Sequence, residues 1–512
     1  MSRSNINEFF GLQSLKVRHS KERNYSAPNL SPVGSLDNCL IFDDPEKVAD
    51  DEQAQKQRKL ADKINNYAPV DEIRIMLVNG ALANGVVTQG LTPLHYACYR
   101  DHYEACKLLL VRGAEINAVD EAGYSPIHLC AEKGHYKLLR LLIENCARVC
   151  WVEESDTKKQ FPMREGCDEP LAMAIRRGHY ECAKLLLECG ADPNARYFSG
   201  PEITHIPPTE THFLRLLLAH GADPNVYGRD GLTPAMKACR LKDKGIKALK
   251  VLFEYGADIN SEAFTKQSNM TALHFGVLSG NHDLVNFLIA NGANINMPDT
   301  YDKASPMDLA VLKDDVELLK ILMDAGGEPN KVHTYIGSAV HLACCSSNLK
   351  NQRAIVKLLL ERGGDINLCH TFNDSDGSVL KSPMVEYFRS TDTIDICLVY
   401  VMLSFGGRVI MRAPSLDPRG QLRNLLKLSV TYPDVFNMLC DLGEDYDPLA
   451  LQRIALPIQI KESLLLKTKN PKTLLQTCRV MLRNKMNPLH PGKVQNLDIP
   501  EALKNYILGM YF

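Results

Sequence analysis

Apolar residues along this chain come in short helical stripes. In Pro93-Leu-His-Tyr-Ala-Cys98, and again in Ala105-Cys-Lys-Leu-Leu-Leu110, they fall three and four apart, the spacing that gathers side chains on one face of a helix. The second stripe ends on Gly113-Ala114. The same pair returns down the chain, with its small-residue ending at positions 80, 113, 146, 190, 221, 256, 292, 326, 363 and 406. The intervals are 33, 33, 44, 31, 35, 36, 34, 37 and 43 residues. Two short helices bury their apolar faces only against copies of themselves, so residues 58–410 read as about ten stacked helix pairs.

The polar punctuation has a local reason at each point. Thr92, Ser125, Thr271 and Ser305 stand where a helix needs a side-chain acceptor at its start. Pro93, Pro126, Pro234 and Pro306 occupy the first turn, where a missing N–H costs nothing. Leucine runs such as Leu185-Leu-Leu187 and Leu358-Leu-Leu360 face the core of the second helix, and Gly then takes its left-handed end. The Asn four residues on (Asn117, Asn194, Asn225, Asn260, Asn296, Asn330, Asn367) suits the turn of a projecting hairpin loop.

Two intervals depart from the period. The 44-residue one holds an insert at 148–168 with the only Trp, Trp151, and Phe161 among mixed charges. Inserts in stacked repeats map to loops, so these aromatics are either a substrate anchor or a loop folded back on the stack. The 31-residue interval, around His205-Ile-Pro-Pro208, is too short for two full helices and predicts a truncated first one. Residues 411–466 read as degenerate capping helices and linker, with two short helices within 418–450. Solenoids need such an end.

The two ends differ. Residues 1–55 are Ser/Pro-rich and acidic, too poor in periodic apolar residues to fold alone. There Arg23-Asn-Tyr-Ser26-Ala-Pro28 is either a phosphosite at Ser26 for a 14-3-3 protein or a chance match in such a tail. At the other end, Asn470-Pro471 reads as the start of a helix running to Lys485. Its Leu474, Cys478 and Leu482 form a stripe widened by Leu475 and Met481, and Arg479, Arg483 and Lys485 suit its own C-terminal dipole. A loop at His490-Pro-Gly492 leads into a second helix over 494–508.

Composition narrows the function. The 512 residues are 45% hydrophobic and 23% charged with a net charge of −2, which shows no bias toward nucleic acid or a membrane surface. The first residues lack the apolar core of a signal peptide, and no run approaches the roughly 18 apolar residues that span a bilayer. Sixteen Cys scattered through helical patterns read as reduced thiols of a cytoplasmic or nuclear protein. No phosphate loop, metalloprotease motif or nucleophile elbow occurs, so neither an enzyme nor a cofactor is expected. Asn373-Asp-Ser-Asp-Gly377 lacks the ligand set of a calcium loop, and Cys146, Cys150 and Cys167 lack zinc spacing. His95, His128, His274 and His341 at one repeat position, and His102, His135, His179 and His282 between helices, read as bonds tying repeats together.

Thr92-Pro-Leu-His95, Ser125-Pro-Ile-His128 and Thr271-Ala-Leu-His274 at a period near 33 resemble ankyrin repeats. Thr473-Leu474-x-x-x-Cys478-x-x-x-Leu482 resembles the elongin-binding BC box, and Leu497-Asp-Ile-Pro500 the downstream cullin box, of a SOCS box at 470–512. Together they resemble the ankyrin repeat and SOCS box family. The expected fold is all-α: an ankyrin-repeat solenoid followed by a small helical SOCS box. The resemblance implies that Thr473, Leu474, Cys478 and Leu482 meet elongin C, which comes with elongin B. It implies equally that Leu497, Ile499 and Pro500 approach cullin-5 with its RING partner, and that the array holds a protein substrate. Asp498 stands where the family has its first cullin-box proline, which leaves the choice of cullin open. The alternative is an ankyrin scaffold without ligase function.

Overall fold

The computed structural model describes residues 48–150, 168–197, 200–241, 244–296, 304–333, 337–371, 379–391, 393–408, 410–411, 428–442, 445–446, 448–453, 457–470, 472–486 and 489–509. They fall into two compact units, one up to Pro234 with Glu254–Ala257, the other made of Ala235–Phe253 and the chain from Asp258 on. The candidate anchors Trp151 and Phe161, and Ser26, lie outside the described residues.

The first unit is built from helix pairs: α1 (Val48–Asn65) with α2 (Val70–Val78), α3 (Pro93–Tyr99) with α4 (Tyr103–Val111), α5 (Pro126–Lys133) with α6 (Tyr136–Glu144), and α7 (Pro170–Arg176) with α8 (Tyr180–Glu188). The first helix expected in the 31-residue interval is a single 3-10 turn, Glu202–Thr204, followed by α9 (Thr211–Ala219). The turn is held from below. Glu202, 2% exposed, accepts both ends of the Arg176 guanidinium, Nε at 3.1 Å and Nη2 at 2.9 Å, while Arg176 Nη1 reaches Asp168 at 2.5 Å. A paired carboxylate can be buried where a lone one cannot.

The second unit continues the pattern with α10 (Pro234–Cys239) and α11 (Gly245–Glu254), then α12 (Ala272–Ser279) and α13 (His282–Ala290), α14 (Pro306–Leu312) and α15 (Val316–Asp324), α16 (Ala339–Cys345) and α17 (Gln352–Glu361), and α18 (Pro383–Ser390) and α19 (Ile396–Ser404). Beyond them lie α20 (Pro433–Leu442), α21 (Pro448–Arg453), α22 (Ile458–Lys469), α23 (Leu474–Lys485), α24 (Pro491–Gln495) and α25 (Glu501–Leu508). Of the two short helices expected within 418–450, the one over Asp434–Cys440 is α20, with Val435, Phe436 and Leu439 buried; 418–427 lies outside the described residues. Residues expected as linker form α22, whose apolar positions give no clean stripe.

The first helix starts the same way in α3, α5, α12 and α16. Thr92 N donates to His95 Nδ1 at 3.1 Å, and Thr92 Oγ1 lies 2.8 Å from the same nitrogen. Since Nδ1 accepts, Nε2 carries the proton, and it meets Tyr124 O of the next repeat at 3.1 Å. Ser125 and His128, Thr271 and His274, and Ser338 and His341 repeat the box; His341 Nε2 reaches Lys381 O at 2.9 Å. In α14 an Asp replaces the His. Buried Asp308 accepts from Ser305 N and Oγ, both at 2.8 Å, and His333 from the following loop stands 3.6 Å away. Three of the four turn histidines reach backward, His102 Nε2 to Ala68 O, His135 to Tyr99 O and His179 to Glu132 O, at 3.2, 3.3 and 2.9 Å, whereas His282, the first residue of α13, reaches forward to Asp315 Oδ2 at 2.9 Å.

The recurring Asn does more than shape its own turn. Its carboxamide spans to the next repeat, donating to the carbonyl of the helix-ending Gly and accepting the amide two residues later. Asn194 does so to Gly221 O (2.9 Å) and Asp223 N (2.8 Å), and Asn330 to Gly363 O (2.9 Å) and Asp365 N (2.7 Å). Asn84, Asn260, Asn296 and Asn367 make the same two bonds. One repeat departs at both positions. Cys146 takes the left-handed place of glycine with φ of 65°, and Cys150 takes the place of Asn. The Cys150 thiol lies 3.3 Å from Gly190 O and 3.3 Å from Asp192 N, a weaker donor and acceptor than a carboxamide.

Two measurements follow from this bonding. Cys150→Asn should strengthen that rung by about 1 kcal/mol, and Asn330→Cys should weaken its own by a similar amount, read as opposite shifts of the urea midpoint. Equal shifts in one direction would contradict the assignment. The box histidines set a pH dependence. Burial pushes His128 down to about 3 and His274 and His341 to about 4. The unfolded chain therefore gains protons below its ordinary imidazole pKa of about 6.5 while the folded chain does not. Stability is full above that value and declines as pH falls, by about 2 kcal/mol per buried histidine at pH 5. Urea titrations at pH 7.5, 6.5 and 5 should show a small loss in the first step, about 0.4 kcal/mol per buried histidine, and a several-fold larger one in the second.

Candidate partner-binding helix

Helix α23 starts on Thr473. Gln476 N donates to Thr473 Oγ1 at 3.2 Å, and Thr473 N donates to Gln476 Oε1 at 3.0 Å, a reciprocal capping box. The start expected at Asn470-Pro471 is three residues early: Asn470 is instead the residue that ends α22. An N-cap at 473 makes Leu474 the first helical residue, so Leu474, Cys478 and Leu482 share one face over two turns.

That face is open. Leu474 is 81% exposed, and Leu475, Met481, Leu482 and Cys478 are exposed with it. Among the described residues of the helix the buried side chains are two arginines, Arg479 at 3% and Arg483 at 7% exposure. Arg483 Nη2 donates to Leu403 O at 2.9 Å and Gly407 O at 3.1 Å, and Nη1 to Ile507 O at 3.1 Å. Arg479 Nη2 donates to Asp441 O at 2.8 Å, and its guanidinium lies 4.6 Å from the centre of the Tyr506 ring. The Leu403, Asp441 and Ile507 carbonyls belong to the last turns of α19, α20 and α25, where four C=O groups per helix have no intrahelical partner and carry partial negative charge, and Gly407 lies just past the end of α19. The arginines were expected to serve the dipole of their own helix. They serve three neighbouring ones instead, because a guanidinium can satisfy several carbonyls from one buried position.

The second group of candidates lies on the loop between α24 and α25. The expected single helix over 494–508 is two: Pro491 opens α24, and Pro500 is the residue before α25. Leu497 and Ile499 are half-buried against Leu489, Val494, Ile507 and Leu508, while Asp498 and Pro500 are exposed. The loop thus brings Leu497, Ile499 and Pro500 together but spends part of the first two on its own small core. That core sits on the last repeat. A Cβ at Gly406 would lie 2.8 Å from Leu489 Cβ, and His490 meets Phe405 edge-on at 5.6 Å between centroids. Among the described residues no group of His, Cys, Asp and Glu could hold a metal, and no helix is long and apolar enough to cross a membrane.

The family model for ankyrin repeats matches residues 64–151, 94–197, 209–299 and 273–370, and that for the SOCS box matches 470–508. The chain belongs to the ankyrin repeat and SOCS box family. It is similar to Ankyrin repeat and SOCS box protein 16 of Homo sapiens, 35% identical over 113 residues, 22% of this chain and 24% of that protein. It is also similar to Transient receptor potential cation channel subfamily A member 1 of Homo sapiens, 28% identical over 174 residues, 32% of this chain and 15% of that one. The chain therefore spans a quarter or less of the length of these relatives. Among solved structures it resembles the ankyrin repeat domain of Bcl-3, at 21% identity and a TM-score of 0.38, over 46% of this chain and 99% of that one. The SOCS-box match takes in α23 and the 497–500 loop.

Of the residues on α23, the leucine stripe was legible in the sequence and the arginine latch was not. Its only signal is a pair of arginines four apart on the face opposite the leucines. The capping box yields a direct test. Thr473→Ala should cost the first turn about 1 kcal/mol. Amide exchange over 474–477 should rise several-fold, with exchange over 396–404 unchanged.

Proposed function

We propose that this chain is the substrate receptor of an elongin B/C–cullin-5 ubiquitin ligase. The observation that carries the reading is the open apolar face of α23 on a helix otherwise fixed in place. A helix whose leucines face water and whose arginines are buried is built to receive a groove. In this reading Leu474 enters elongin C, Cys478 and Leu482 pack beside it, and Thr473 starts the helix in the right register. Asp498 and Pro500 are the exposed members of the cullin-facing loop, with Leu497 and Ile499 supporting them. Cullin-5 then brings its RING partner.

The ankyrin repeats hold a protein substrate, for which Trp151 and Phe161 of the insert are the proposed anchors, and phosphorylated Ser26 offers a 14-3-3 contact. Catalysis belongs to the partners: the receptor raises the effective concentration of substrate lysines near a charged enzyme. The cysteines described are all free thiols, which fits a cytoplasmic or nuclear setting.

The competing reading, a scaffold whose terminal helices only cap the stack, is favoured by the docking of Arg479 and Arg483. Both readings accept that docking and differ in the leucine face. Leu474→Asp with Cys478→Asp alters exposed side chains, so the melting curve should stay put while co-purification of elongin B/C falls by at least about a hundredfold. Elongin retained by the double variant would overturn the assigned contact, and no elongin on the unaltered chain would favour the scaffold.

A further inference from the structure

The arginine face of α23 deserves a role of its own. In a cap, a buried face is made of leucines, because apolar burial is non-directional and tolerant of sliding. Here it is made of two guanidinium groups, each aimed at carbonyls whose positions are set by other helices. Arg483 alone joins three segments: Leu403 and Gly407 at the end of the last helix pair, Ile507 at the end of α25, and its own helix. Arg479 adds Asp441 at the end of α20 and the face of Tyr506. Bonds of this kind have a direction, and several from one planar group define an orientation as well as an adhesion.

We infer that Arg483, with Arg479, is a positioning residue that fixes the rotation of the BC-box helix relative to the last repeat. The leucine face determines that a partner binds; the arginine face determines which way that partner points from the end of the array. In a receptor without chemistry of its own, that direction decides which substrate lysines come within reach of the charged enzyme, so the latch is the residue pair through which the fold contributes geometry to transfer. By linkage, a partner on α23 should also stabilise the turn at Leu403–Gly407, since the same guanidinium bridges both.

The ligase half of this inference rests on the function proposed above, and the latch itself is tested without a partner. In the free chain, Arg483→Met should raise amide exchange together over 403–407, 474–485 and 504–509, and leave 306–324 unchanged. Exchange confined to 474–485 would overturn the latch. With elongin B/C bound, a dye on elongin B and another at an unnatural residue replacing exposed Lys320 report direction by energy transfer. The unaltered chain should give one narrow distance distribution. Arg483→Met should broaden it, with elongin affinity within about threefold because Leu474, Cys478 and Leu482 lie on the opposite face. Lost affinity with an unbroadened distribution would mean that the arginine only holds the helix together. Arg483→Lys, which keeps the charge and a single donor centre, covers the case in which Met unfolds the end of the chain; it should broaden the distribution less than Met. A narrow distribution in both variants would refute the positioning role.

Discussion

Everything in the repeat units depends on a carboxamide reaching from one helix pair to the next. Beyond α1, a pair of helices six to ten residues long has too few buried side chains to be stable alone, so what must be specified is how each pair meets its neighbour. Leucine contacts supply attraction without choosing a register. The Asn side chain supplies the register, because its N–H and C=O engage two groups two residues apart on the next turn, and a slip of one residue would lose both. The box histidine adds a second tie at the start of the pair and the turn histidine a third. Where they occur, these directional bonds around an apolar filling give the polar residues of the repeat a structural reason to recur.

The same bonds show where the regular pattern relaxes. The repeat before the insert has cysteines in place of both glycine and asparagine, and the shortened repeat after it replaces a helix with one turn held by a buried Arg–Glu pair. Each substitution weakens or changes a tie at the point where the period itself breaks.

Most of the fold was legible because its causes are local. Caps, first-turn prolines, left-handed glycines and three-to-four spacing act within ten residues, so a reader of the sequence finds the helix pairs and the shortened one. What was misread has causes that lie far away in sequence. Asn330 looks like a turn residue until Gly363 is seen beside it, thirty-three positions later. Arg483 looks like a dipole complement until Leu403, eighty positions earlier, is found under it. Helix α22 escaped because its apolar residues have no single face. Backbone carbonyls leave no mark in a sequence, so any side chain that bonds to them across repeats is read as something simpler.

That point bears on the terminal helix most of all. A helix with one apolar stripe would ordinarily turn it inward, since each fully buried leucine is worth about 2 kcal/mol. Leaving Leu474, Leu475, Met481 and Leu482 in water requires the opposite face to gain more from docking than the leucines would. Carbonyls at and just past the ends of the neighbouring helices provide that gain, because a buried carbonyl short of donors costs about 1–3 kcal/mol and two guanidinium groups reach four of them at once. The arginines thus explain the leucines: by capping helix ends that must be capped anyway, they hold the helix with its apolar face outward. An apolar face kept open by bonds on the other side can persist in the free protein, which is what the proposed recruitment requires of it.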